Sequence, residues 1–151
     1  MSLKNSSVKI PKLLADKFKN KKIKSIYNNF EKSISIQNNF IVAVSGGADS
    51  MALLYSLAEL SRREESSSVA VAHVQYDLRP EASHDRKFVV EQAEQLGFPC
   101  YWKKVCVQEA SSLQQGVGTE AVARQLRYDF FAQLAFEIGA RHVAVGHTRD
   151  D

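Results

Sequence analysis

Between Phe40 and Leu60 the chain reads FIVAVSGGADSMALLYSLAEL. A short apolar run meets Ser45-Gly46-Gly47-Ala48-Asp49-Ser50, and an apolar helical pattern follows at once. Two glycines let the backbone approach a ligand closely and adopt positive φ. A helix start behind them offers unpaired N–H groups and a partial positive charge. Ser45 and Ser50 add hydroxyl donors, so the six residues form an anion cradle suited to a phosphate or pyrophosphate. The spacing is neither Gly-x4-Gly-Lys-Ser/Thr nor Gly-x-Gly-x-x-Gly, and no lysine is present to reach a γ-phosphate. Asp49 would repel a bare phosphate, which implies a divalent cation, Mg2+, between them. A grip on pyrophosphate suits chemistry that releases pyrophosphate and transfers AMP. The plain alternative is a glycine turn between a strand and a helix.

Three further stretches carry polar groups at the starts or ends of regular elements: AHVQYDLRPEAS from Ala72, TEAVARQLRYDFF from Thr119 and GHTRDD from Gly146. Arg124 and Arg127 stand three apart on one helix face, and guanidinium groups suit phosphate or a base edge. A solvated basic face is the plainer reading of that pair. His73 closes a strand, where histidine commonly makes a structural hydrogen bond. Arg79 is a phosphate or substrate contact or a surface residue. Glu120 fits a first-turn carboxylate favoured by the helix dipole, and Tyr128 fits the core. His84 and His142 read as a surface and a strand-edge residue.

These groups need a frame. Ile41–Val44, Val69–Val74, Tyr101–Val107 and His142–Val145 read as strands, the parallel kind that appear as apolar runs. Ser50–Ser61 reads as a helix, as does a segment capped by Ser83 and stopped by Gly97. A third helix runs from Thr119 to about Ile138 and ends at Gly139. The stretch QEASSLQQGVG before it reads as a flexible connection, and Pro80 breaks regular structure in the loop before Ser83. The order βαβαβαβ predicts an α/β fold, a Rossmann-like parallel sheet with helices on both faces. In such sheets ligands sit beyond the carboxyl ends of the strands.

The motif SGGADS resembles the pyrophosphate loop of the PP-loop family, the N-type ATP pyrophosphatases. That family includes GMP, NAD and asparagine synthetases and several tRNA-modifying enzymes. The three further stretches, in their order, resemble its tRNA(Ile)-lysidine synthetase branch, over residues 38–151. The resemblance implies ATP and Mg2+ as cofactors and a minor isoleucine tRNA and free lysine as substrates. ATP adenylates the C2 carbonyl oxygen of the wobble cytidine, and the lysine ε-amine then displaces AMP. It assigns Ser45, Gly46, Gly47, Ala48, Asp49 and Ser50 to ATP, with Asp49 on the metal. It places His73, Arg79, Arg124, Arg127, His147, Asp150 and Asp151 at the catalytic or substrate-binding site. There a carboxylate of the last loop holds metal or the lysine ammonium, and His147 shuttles a proton. The plainer reading of that loop is a cap for a following helix.

Two departures stand out. The family pattern His-Val-Asn-His-Gly-Leu-Arg is here His73-Val74-Gln75-Tyr76-Asp77-Leu78-Arg79. Asp77 replaces the glycine, and aspartate tolerates a left-handed backbone better than most residues. The family's last motif also continues past the paired aspartates, so the chain is expected to be cut within its catalytic domain, without C-terminal tRNA-binding domains. Two other readings stay open. One is another adenylating enzyme such as a tRNA thiolase, although the thiolases' Cys-x-x-Cys is absent ahead of the arginine helix. The other is a non-catalytic nucleotide- or RNA-binding module.

The bulk properties agree with one soluble domain: 151 residues, 44% hydrophobic and 25% charged. No apolar run reaches the length of a membrane span, and no signal-peptide pattern opens the chain. Cys100 and Cys106 match no metal or redox spacing and read as buried free thiols of a reducing, cytoplasmic protein. Residues 1–40 hold nine lysines and two acids, net +7, whereas the rest holds eleven cations and fifteen acids, net −4. Residues 1–37 therefore read as a basic helical lead-in, either a solvated segment or an arm that holds nucleic acid. Homodimerisation stays open for the full-length protein.

Overall fold

The computed structural model describes residues 39–63, 68–77, 80–114 and 116–146. The basic lead-in, Arg79, His147, Asp150 and Asp151 lie outside the described residues. Four strands, β1 (Phe40–Ala43), β2 (Val69–Tyr76), β3 (Cys100–Val105) and β4 (His142–Val145), alternate with helices. The helices are α1 (Ala48–Arg63), α2 (Ala82–Leu96), α3 (Val107–Leu113) and α4 (Thr119–Ile138). All strand pairs are parallel and the sheet order is β3-β2-β1-β4. The expected α/β architecture is the one observed.

Strand alternation sorts the core into two layers. Ile41, Ala72, Val74 and Val105 pack with Val107 of α3 and with Val122, Phe131 and Leu134 of α4. Phe40, Val42 and Val71 project the other way, toward the side where α1 and α2 contact β1 and β2. There Leu54, Leu57, Val89 and Ala93 are buried, and the Tyr55 hydroxyl donates to Gln92 between the two helices. Helices thus cover both faces.

The order places the ligand crevice. The chain leaves β1 through α1 toward β2 and β3, then returns through α3 and α4 to β4 on the opposite side of β1. The strand order reverses between β1 and β4, where Ala43 is in register with Val145. Open α/β sheets bind ligands at such a switch point.

Several expectations change in detail. α1 begins at Ala48, not Ser50, so Ala48 and Asp49 belong to its first turn. Ser83 does not cap α2: the cap position is Glu81, without a side-chain hydrogen bond. β3 ends at Val105, and the connection read as flexible contains α3. The reason is Asp77, whose Oδ1 accepts the Val107 N–H at 2.9 Å and caps that short helix from a distant loop. Cys106 is consequently not a buried strand thiol; it is exposed at the α3 cap position, and Cys100 is half-buried. β3 also departs from an apolar run, because it is an edge strand whose residues 101–104 are exposed. Gly97 and Gly139 end α2 and α4 with φ of 76° and 68°, as read from the sequence.

Candidate functional site

The strand β1 delivers the chain into the loop with its backbone still held to β2. Val44 N–H donates to Ala72 O at 2.9 Å, continuing the ladder one residue past the strand. The loop then closes on two serine hydroxyls. Ser50 Oγ donates to Gly47 O at 3.0 Å and accepts from Ser45 N–H at 3.1 Å. Ser45 Oγ lies 3.1 Å from Ser50 Oγ and accepts from Gly47 N–H at 3.3 Å. Ser50 is buried, so its hydroxyl braces the loop and Ser45 is the exposed member of the pair. Met51 N–H to Gly47 O, at 3.0 Å, is the first helical bond. Ala48, Asp49 and Ser50 therefore present N–H groups with no helical acceptor, the arrangement that binds anions at helix starts.

Two glycines fix this geometry for different reasons. Gly46 has φ of 96°, a conformation that L side chains rarely adopt, while the space around its Cβ position is ordinary. Gly146, directly after β4, is tight: an added Cβ would stand 3.0 Å from both the nitrogen and Cα of Ser50. The end of β4 thus packs backbone to backbone on the start of α1.

An open cleft of about 240 Å3 lies over these strand ends on the α4 side. Ala43, Ala72, Val74 and Val145 line its apolar part. Ser45, Gly47, Asp49 and Ser50 line its polar end, and Tyr76, Arg127 and Phe131 complete the wall. A second cavity of about 440 Å3 adjoins it, lined by Thr119, Glu120, Ala123 and Arg124, and Tyr76 and Arg127 line both. Joined, the two reach the size of small-molecule sites. Burial pushes the Tyr76 phenol pKa up, and the charge of the nearby Arg127, with a hydrogen bond from its side chain, pulls against that rise. The guanidinium groups of Arg124 and Arg127 lie 5.1 and 5.6 Å from the Tyr128 ring centroid. Among the described residues neither arginine is paired with a carboxylate. Tyr128 itself meets Phe131 edge-on at 6.0 Å and lines neither cavity.

The structure therefore brings the Ser45–Ser50 loop and Arg127 to one cleft and puts Arg124 in the neighbouring cavity. His73 goes elsewhere. It alternates with Ala72 and Val74, so its ring projects to the α1–α2 side and is 2% exposed. Its Nδ1 lies 2.7 Å from Val44 O, and its Nε2 is buried without a partner. Burial lowers its pKa below the usual histidine range; the Val44 bond and Asp85 oppose that and Arg86 reinforces it. The neutral ring donates from Nδ1 and holds the residue that precedes the anion loop, so His73 positions the loop without reaching the cleft. His142 is exposed and stacks on Phe40, centroids 5.1 Å apart.

Asp77 does not use a left-handed turn, since no described residue other than glycine has positive φ. Its carboxylate instead takes up the helix-capping bond described above. Tyr76, Phe131 and Gly146 are the site residues that the spacing did not single out. A glycine closing a strand is a signal of close backbone approach, but its neighbour becomes known only once β4 is placed beside β1.

Among the described residues no three His, Cys, Asp or Glu side chains gather to hold a metal. Asp49, exposed at the polar end of the cleft, is a single hard oxygen donor. That fits Mg2+, which commonly takes one or two carboxylates and completes its shell with phosphates and water.

Known proteins agree with this layout. The family model of the PP-loop domain matches residues 15–151. A tRNA(Ile)-lysidine synthase of Thermus thermophilus is 42% identical over 111 residues, 74% of this chain and 21% of that protein. That of Dehalococcoides mccartyi is 41% identical over 119 residues, 78% of this chain and 25% of that protein. One from Bacillus cereus is 37% identical over 128 residues, 82% of this chain and 26% of that protein. The chain thus spans about a quarter or less of the length of these relatives. A U34-tRNA thiolase from Methanococcus maripaludis, solved with its [4Fe-4S] cluster, shares the fold: the TM-score is 0.67 at 19% identity, over 85% of this chain and 46% of that one. No helix among the described residues is long and apolar enough to cross a membrane. With the pyrophosphate-type loop on the switch point and the family match over most of its length, the chain belongs to the PP-loop family.

Proposed function

We propose that this chain is the ATP-binding part of a cytoplasmic enzyme that joins lysine to the wobble cytidine of a minor isoleucine tRNA. The observation that carries the reading is the cleft that faces the Ser45–Ser50 loop and its unpaired helix N–H groups toward Arg127. The identity of 37–42% to lysidine synthases supports the choice of reaction.

In this reading the loop grips the β- and γ-phosphates of ATP, and the apolar strand ends receive the nucleoside. The C2 carbonyl oxygen of the cytidine attacks the α-phosphorus, the bond to the β-phosphate breaks, and pyrophosphate leaves into the loop. The lysine ε-amine then attacks C2, loses a proton, and the C2–O bond to AMP breaks. Charge builds on phosphate oxygens in the first step, and Arg127 is the cation placed to offset it. Asp49 would hold Mg2+ against the phosphates; the bound ion neutralises phosphate charge. His73 keeps β1 and the loop in register. Arg79 and the loop with His147, Asp150 and Asp151 supply substrate contacts and proton transfer. The basic segment of residues 1–37 lies against tRNA phosphates.

The test uses the full-length protein with ATP, Mg2+, radiolabelled lysine and the isoleucine tRNA. Label in the tRNA that disappears in Asp49→Ala is the expected result. ATP cleaved to AMP and pyrophosphate without lysine incorporation keeps the adenylating loop and replaces the nucleophile, with sulfur or an amide nitrogen next in line. ATP bound but never cleaved leaves only a binding module.

A further inference from the structure

Tyr76 stands where the family pattern has its second histidine, at the last residue of β2. Its hydroxyl and Arg127 Nε are both buried with no partner at standard hydrogen-bond geometry, and the Arg127 side chain lies close enough to the phenol to act on it by charge and by hydrogen bonding. The two residues line both cavities, so they stand at the boundary between them. Buried polar atoms are almost always partnered, and an orphan at a cavity wall marks the place where a ligand supplies the missing group. Arg127 Nε can only donate. The phenol oxygen is the acceptor toward the Arg127 guanidinium, which leaves its own O–H to donate away from Arg127. Two donors on one cavity wall, one of them cationic, favour an anionic acceptor.

We infer that Tyr76 and Arg127 together bind an oxygen of the phosphate next to the nucleoside, the α-phosphate, at the boundary between the cavities. The inference rests on the nucleotide reading of the cleft. With the β- and γ-phosphates in the Ser45–Ser50 loop, the α-phosphate follows on the side of that boundary. That is where the acceptor must meet it, so Tyr76 is a substrate-binding residue particular to a chain with phenol in place of imidazole. Tyrosine keeps its proton at neutral pH and donates at every pH where histidine would switch.

The test is equilibrium binding of AMP, adenosine and free lysine to the protein and to Tyr76→Phe, which keeps the ring and removes the donor. Melting curves confirm that the variant is folded. Tyr76→Phe is expected to weaken AMP on the order of tenfold and to leave adenosine unchanged. Combining it with Arg127→Gln should cost less than the two single losses together, since both serve one acceptor. Equal loss for AMP and adenosine means that the ring only packs, and overturns the inference. Unchanged AMP with weakened lysine overturns it in favour of a carboxylate in the second cavity. A parent protein that binds ATP, beside a variant indifferent to AMP, sinks this inference alone. A parent that binds neither ATP nor AMP sinks the nucleotide reading with it.

Discussion

His73 and Tyr76 lie three residues apart on β2 and face opposite sides of the sheet. His73 is locked to Val44 O at 2.7 Å among buried apolar residues, whereas Tyr76 lines an open cleft beside the Arg127 guanidinium. The same strand thus uses one polar side chain to hold the backbone and another to meet what enters. The α1–α2 side, with Phe40, Val42, Leu54, Leu57, Val71 and Val89 all nearly inaccessible, stores stability. The α4 side gives up packing at the strand ends to leave a cavity.

The largest test of that division is Leu54→Ala, at 0% exposure on the closed side. It should lower unfolding free energy by about 2–5 kcal/mol, read by urea denaturation, while the folded fraction keeps its nucleotide affinity. Affinity falling in step with stability would erase the division. Gly146→Ala comes next. Its Cβ would stand 3.0 Å from the Ser50 backbone, so β4 or α1 must give by a few tenths of an ångström, at about 1–3 kcal/mol. ATP binding should suffer more than the melting temperature does, because the displaced atoms are the anion donors. An Asp77→Ala variant loses the cap of α3 and about 1 kcal/mol; circular dichroism and proteolysis between residues 106 and 118 would show whether that helix frays.

The smallest effect is a pH slope. Burial depresses the folded pKa of His73 below its unfolded value, so the unfolded chain binds the proton more readily. The stability that the neutral ring contributes is complete above the unfolded pKa of about 6.5. It is lost as pH falls from there through the folded value. Denaturation midpoints from pH 7.5 to 5 should fall more steeply for the parent than for His73→Gln. Parallel slopes would mean that Asp85 and the Val44 bond hold the ring's proton as water does.

The alternation of helices and strands was legible because β1 and β2 are continuous apolar runs, and α4 was read from Thr119 to the glycine that ends it. The anion loop was legible because six consecutive residues perform the whole task. What escaped depends on partners distant in sequence. α3 exists through an aspartate 30 residues upstream, and no local pattern announces it. His73 and Tyr76 share a strand, and only the placement of helices on the two faces separates a brace from a wall. Gly146 matters because β4 lies beside β1, which no spacing rule encodes. Cys106 looked like a strand residue because Val105 and Val107 flank it, yet the strand had already ended.

The missing side chain at Gly146 has a dynamic consequence. With no Cβ between them, the tip of β4 and the first turn of α1 share one contact surface, and neither can open without breaking it. Their amides should therefore exchange with solvent as one cooperative unit. Whatever binds the segment after β4 would then be felt in the exchange rate of Ser50, on the far side of a contact that contains only backbone.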